Sequence, residues 1–219
     1  MDSKVIVTVD VVLLTINAES KIQDGLRVGL MKRPNAPFKG MLALPGGYVH
    51  ADKDASTRDA ATRVLLSKIG MKAPYLEQLA TFSGPTRDPR GWSVSVCYYA
   101  LVPTDSMKQW DPAYVARVDR LPKLAFDHAY LIAAAVDRVR SKSSYSALPT
   151  YLLPEAFTLG ELQDIYERIL GTKIDKSSFR RKLRELDFLE EVVGGFKGGH
   201  RRPAQLYRAK GMALFDRTI

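Results

Sequence analysis

The sequence predicts a mixed α+β sandwich followed by a smaller unit of two helices and a β-hairpin, and three observations lead to that class. Strand-like segments bracket a glycine-led helix up to Arg140. A serine-rich stretch, SKSSYSALP from Ser141 to Pro149, then breaks the apolar pattern. Beyond it the composition turns basic: Lys173 to Lys210 holds eleven Lys and Arg against five acids, a net of +6 within a chain total of +9. The expected organisation is one unit over 1–141, a linker over 142–149 and a second unit over 150–219.

Val5–Ile16 and Gly25–Lys32 read as strands separated by a polar loop, because β-branched and apolar residues dominate both. Pro34, Pro37, Gly40 and Pro45 enforce turns around a short strand, Met41–Leu44. Ser56 is a plausible N-cap for a helix to Ile69, and Gly70 a fitting terminator. Asp59 and Arg63 stand four apart on that helix, a spacing that allows an ion pair across one turn. Tyr75–Ser83 and Trp92–Val102 read as further strands around the loop GPTRDPRG, and Val115–Leu121 as irregular chain or a short strand. A helix over Ala129–Arg140, with Asp127 at the N-cap position, closes the first unit.

In the second unit, Thr158 and Glu161 form the pattern of a capping box for a helix over Leu159–Leu170, ended by Gly171. A second helix over Asp175–Leu186 sets Phe179, Leu183 and Leu186 on one side and a row of basic residues elsewhere. Strands at Leu189–Val193 and Gln205–Ala209 flank GGFKGGHRRP, a glycine-rich basic hairpin. Two helices joined by a short turn and followed by a basic hairpin are the order of a winged helix-turn-helix.

The apolar runs, such as Val9–Ile16 broken by Asp10 and Thr15, are too short to span a bilayer, and no cleavable leader precedes them. A cytoplasmic protein without membrane contact is the expectation. Cys97 is the only cysteine, and with three histidines it gives no structural metal spacing.

The stretch GGYVHADKDASTRDAATRVLLSKIGM, Gly46 to Met71, resembles the Nudix box: a Gly-Gly turn, then a helix bearing Arg63 and Leu65 and ending at Gly70-Met71. Where that pattern places its three helix glutamates the chain has Val64, Ser67 and Lys68, with Ala55 eight residues before Arg63. Gly47 also lies two residues too far from Arg63 for the pattern. Hydrolysis by such a helix needs hard oxygen ligands for magnesium. Ser67 and Lys68 supply no such cluster, so no catalytic residue and no metal ligand is assigned. A lysine there sets a fixed positive charge beside the place of a pyrophosphate, which favours binding without turnover.

Other residues extend this anion site. Arg33 precedes the box, and Arg87, Asp88 and Arg90 share a loop whose guanidiniums suit a diphosphate. Tyr48, Phe82, Trp92 and Phe126 are aromatic candidates for stacking on a base, although each also suits a core. Glu77 is placed to accept from ribose hydroxyls, and His128 to cap a helix or contact the ligand. The expected ligand site is therefore Arg33, Gly46, Gly47, Tyr48, Lys68, Glu77, Arg87, Asp88, Arg90, Phe126 and His128. On the second helix, Ser177, Ser178, Arg181 and Arg184 share a face fit for a DNA groove, with Lys176 and Arg180 beside them and His200, Arg201 and Arg202 at the wing tip.

Taken together, LPGGYV, the box remnant SKIGM, YLEQL, RDPRGWSVSVCY, LAFDH, FTLGELQDIYERILG, SSFRRKL and RRPAQLYR resemble the Nudix-related transcriptional regulator (NrtR) family along almost the whole chain. The resemblance implies a homodimer that binds a double-stranded DNA operator and represses genes of NAD metabolism. It also implies that the Nudix unit senses ADP-ribose or a related NAD-derived nucleotide as effector, with no cofactor required. The alternative is an active ADP-ribose pyrophosphatase with a basic nucleic-acid-binding appendage.

Overall fold

A computed structural model describes residues 5–16, 25–107, 110–111, 114–198, 203–216 and 218–219. Its strands and helices are β1 (Ile6–Thr15), β2 (Arg27–Gly29), β3 (Met31–Lys32), β4 (Leu42–Ala43), β5 (Gly46–Tyr48), α1 (Thr57–Ile69), β6 (Tyr75–Gly84), β7 (Ser93–Leu101) and β8 (Val115–Arg117). There follow α2 (His128–Ser143), β9 (Phe157–Thr158), α3 (Leu159–Leu170), α4 (Lys176–Leu186), β10 (Leu189–Lys197) and β11 (Ala204–Ala209).

The main sheet runs β6-β7-β1-β2-β8, with β5 also on β1. β1 and β7 pair in parallel from Ile6↔Ser93 to Leu14↔Leu101, while β5 and β2 share the other edge of β1 at Thr8–Asp10 and Leu13–Thr15. The central strand is apolar on both faces because a helix covers each. Val9, Val11 and Leu13 pack against Ala60, Ala61, Val64 and Leu65 of α1. Val12 and Leu14 belong to the core with Leu131, Ile132, Ala135 and Val139 of α2. The result is the expected sandwich, with β5 as a strand that the Gly-Gly pair concealed.

The second core does not stop at the sheet. It continues from α2 through Leu148 and Leu152 to Leu162, Ile165, Tyr166 and Ile169 of α3, and on to Phe179 and Leu183 of α4. Residues 142–149, expected as a linker, are therefore a correction: α2 runs on to Ser143, Leu148–Leu152 forms a 3-10 helix, and Ser146, Ala147 and Leu148 are fully buried. Two of their serines, Ser144 and Ser146, donate to backbone carbonyls. Ser146 donates to the Lys142 carbonyl at 2.6 Å, and Tyr166 donates to the Ser146 carbonyl at 2.7 Å.

Local signals explain the C-terminal unit. Thr158 and Glu161 make both bonds of the capping box, Gly171 ends α3 in the left-handed region, and Asp175 caps α4 through the Ser178 amide at 2.9 Å. A three-stranded sheet, β10-β11-β9, completes the winged helix. β10 extends beyond Val193 to Lys197, because an irregularity between Glu191 and Phe196 carries it past the two glycines.

The expected Asp59–Arg63 pair does not form. Asp59 stays at the helix start, where it accepts the Ser56 hydroxyl at 2.8 Å. Arg63 instead reaches the preceding loop, with two bonds of 2.7 Å to Asp54 and one of 2.9 Å to the Tyr48 carbonyl. The Arg63 hydrogen bonds hold the Asp54 carboxyl down to about 2. Because the folded value lies below the unfolded one, the pair contributes fully above about pH 4 and its contribution vanishes as pH falls toward about 2. Asp54→Asn is therefore expected to melt earlier than the parent near neutral pH, and the gap to close in melts taken toward about pH 2. A gap that persists in acid would refute this account of the pair.

Candidate nucleotide site and nucleic-acid face

A cleft of about 390 Å³ opens over the junction of β1, β5 and the start of α2. Ten of the eleven residues expected at the ligand site line it, all except Glu77. β5 brings Gly46, Gly47 and Tyr48, α1 brings Lys68, and the turn after β3 brings Arg33. The β6–β7 loop adds Arg87, Asp88 and Arg90, while Phe126 and His128 come from the approach to α2. Lys32, Arg33, Lys68, Arg87 and Arg90 stand against Asp10 and Asp88, five cations to two carboxylates, so the cleft suits an anion.

The guanidiniums are held in place. Arg90 grips Asp88 with bonds of 3.0 and 2.6 Å and donates to the Tyr48 hydroxyl. Those Asp88 bonds raise the Arg90 pKa. Burial pushes Asp88 up, but the Arg90 bonds outweigh it and leave the carboxyl below its usual range. Arg87 makes a two-pronged contact to Asp127 at 3.1 and 3.0 Å and a bond of 3.2 Å to Ser93. Asp127 consequently stands at the N-cap position of α2 without capping it.

Phe126 holds a left-handed backbone, φ 54°, under the Arg33 guanidinium at 4.6 Å and against the edge of Phe38 at 4.9 Å. A residue with a side chain rarely occupies that region, and such strain clusters at functional sites. Trp92 is 44% exposed outside the cleft and Phe82 packs on Tyr130, so neither stacks there.

Lys68 reaches back over β5 to the Gly46 carbonyl. Burial of its ammonium, joined by the charges of Arg33 and Arg63, lowers its pKa despite Asp10 nearby. His128 is buried and its Nδ1 accepts the Leu44 amide at 2.9 Å. Burial lowers its pKa, which favours the neutral ring with the proton on Nε2. Glu77 is the correction at this site. It lies on β6 away from the cleft, bonded to Lys142 and Tyr75 at the far end of α2. Burial raises Glu77, but Lys142 and Tyr75 overcome that and lower its pKa.

Asp10 lines the cleft floor and was missed as a site residue, although an acid inside an apolar strand was visible in the sequence. Gly46 rests on it: a Cβ at Gly46 would lie 2.1 Å from Asp10 Oδ1 and 2.9 Å from the Val9 carbonyl. Gly46→Ala is expected to cost about 1–3 kcal/mol by overpacking, measured by thermal melting. An unshifted melt would show that the turn gives way. Among the described residues no group of three or more His, Cys, Asp or Glu is placed to hold a metal, and no helix is long and apolar enough to cross a membrane.

In the C-terminal unit, Lys176, Ser177, Ser178, Arg180, Arg181 and Arg184 are all exposed on α4. Phe179 and Leu183 anchor the opposite side, so the basic face looks outward. Lys176, Arg180 and Arg184 line the groove between α4 and the hairpin. His200, Arg201 and Arg202 lie outside the described residues.

A Nudix sandwich with a cationic cleft, carrying a winged helix behind it, is the architecture of a Nudix-related regulator. Residues 149–209 match the model of the NrtR DNA-binding winged helix domain. The ADPR responsive transcriptional repressor NtrR of Acinetobacter baylyi is 41% identical over 93% of this chain and 81% of its own. Shewanella oneidensis NrtR complexed with a 27mer DNA superposes with a TM-score of 0.86 at 37% identity, over 97% of this chain and 99% of that one. The Nudix domain of the same protein, complexed with ADP ribose, gives 0.51 at 39% identity over 63% of this chain and 90% of its own. An ADP-ribose pyrophosphatase of Methanocaldococcus jannaschii is 36% identical over 51% of this chain and 66% of its length. The chain belongs to the NrtR family.

Proposed function

We propose that the protein is a transcriptional repressor whose Nudix cleft binds ADP-ribose and whose winged helix binds double-stranded operator DNA, as a homodimer. The observation that supports the reading is the cleft itself, whose guanidiniums, held by Asp88 and Asp127, stand with Lys68 and suit a diphosphate. Among the described residues no carboxylate cluster lines the α1 side of the cleft, and Lys68 stands where the Nudix pattern has a glutamate. Binding therefore proceeds without turnover, and no cofactor takes part. The genes under its control are those of NAD metabolism.

Ligand in the cleft favours a spacing of the two winged helices that no longer matches successive DNA half-sites. Such coupling is reciprocal and typically worth about 1–3 kcal/mol, or roughly 5- to 150-fold in affinity. The test is a gel-shift titration on a duplex recovered by in vitro selection with the intact protein, with and without saturating ADP-ribose. Operator affinity is expected to fall within that range. Unchanged affinity would refute the sensor reading, and magnesium-dependent release of AMP at ordinary enzyme rates would establish the pyrophosphatase instead.

A further inference from the structure

Asp10 combines two properties that purely structural carboxylates seldom share: its side chain is only 10% exposed, yet it forms part of the cleft floor. Its two oxygens are differently used. Oδ2 accepts the Ser95 hydroxyl at 2.5 Å. Among the described residues Oδ1 accepts no hydrogen bond: His128 Nε2 stands 3.6 Å from it, beyond bonding distance, and Arg87 stands 3.8 Å from Oδ2. A Cβ on Gly46 would stand 2.1 Å from Oδ1, so only a glycine lets β5 pair over this carboxylate beside the cleft.

A mostly buried carboxylate with one oxygen free of protein donors gains from a donor that arrives. On a nucleoside diphosphate or a sugar diphosphate the phosphates are anionic acceptors, which Asp10 repels. The ribose hydroxyls are donors, and a hydroxyl on a carboxylate makes a short, charge-assisted bond. Cations at the rim and one negative group on the floor therefore sort the two parts of such a ligand.

We propose that Asp10 is the specificity-determining residue of the cleft, accepting a ribose hydroxyl through Oδ1 and selecting ribosylated diphosphates over simple ones. This rests on the reading of the cleft as an ADP-ribose site and adds the group that distinguishes the ribose. Asp10→Asn keeps the shape of the side chain and removes its charge.

Titration calorimetry on the full chain would compare ADP-ribose, ADP and inorganic pyrophosphate, which carry decreasing numbers of riboses on a common diphosphate. In the variant, the preference for ADP-ribose over pyrophosphate is expected to fall by about tenfold or more, because a charged acceptor is replaced by a neutral one. Pyrophosphate binding is expected to hold or improve. An equal loss for all three ligands, or an unchanged preference, would overturn the assignment. If Asp10→Asn does not fold, as judged by circular dichroism, ADP-ribose analogues lacking ribose hydroxyls decide the matter on the unaltered protein. A loss of about tenfold supports the role and equal binding removes it. Failure of ADP-ribose to bind the unaltered protein at all would refute the function proposed above, whereas binding indifferent to the hydroxyls would refute only the part given to Asp10.

Discussion

Replacing Arg180, Arg181 and Arg184 together by alanine is expected to weaken binding to the selected duplex by about 100-fold or more near 0.1 M salt, since each contact of this kind is typically worth about 1–3 kcal/mol. Non-specific affinity should fall as well, because neutralised phosphates release counterions whatever the sequence. If all three side chains meet phosphates, the slope of log affinity against log salt should flatten by nearly three, at about 0.9 per phosphate. The three side chains are exposed, and Phe179 and Leu183 hold α4 from its other side, so the fold should survive the change. Fluorescence anisotropy over a salt series reads both effects. An unaltered affinity together with an unaltered slope would mean that α4 is not the reading helix.

The second large effect is on stability. Phe179 is 1% exposed and meets the Tyr166 ring edge-on at 5.5 Å, and Tyr166 in turn is tied to the Ser146 carbonyl. Phe179→Ala leaves a cavity at that junction and is expected to cost about 3–5 kcal/mol. For a chain of this size that lowers the melting temperature by roughly 6–20 °C. A shift of only a few degrees would indicate that neighbouring side chains collapse into the space. Leu186 serves as a control, because it is only partly buried and its truncation should cost less.

The sequence carried the architecture where local rules act alone. The β-branched and apolar run of β1, the capping box of α3 and the left-handed glycines at helix ends all name their elements without reference to anything distant. It failed where a side chain's partner lies far along the chain. Asp59 and Arg63 fit a helix pair, yet Asp54 offers Arg63 a better two-pronged partner from the loop. Glu77 reads as a free acceptor until Lys142, sixty-five residues away, is folded against it. The serines at 141–146 look like a linker because composition does not reveal that Ser146 will be buried with its hydroxyl on the Lys142 carbonyl. Asp10 was visible as an anomaly in an apolar strand, but only the pairing of β1 with β5 sets it beneath the cleft.

α2 begins with His128 at the cleft, and just past its other end the Ser146 carbonyl holds Tyr166 of α3. A helix of 16 residues is about 24 Å long, so it acts as a lever: a tilt of about 5° at the ligand end sweeps the opposite end through roughly 2 Å. Since close-packed interiors transmit strain instead of absorbing it, that displacement must be passed to α3 and α4. Any tilt that a ligand imposed on α2 at the cleft would thus be felt in the packing of α3 and α4.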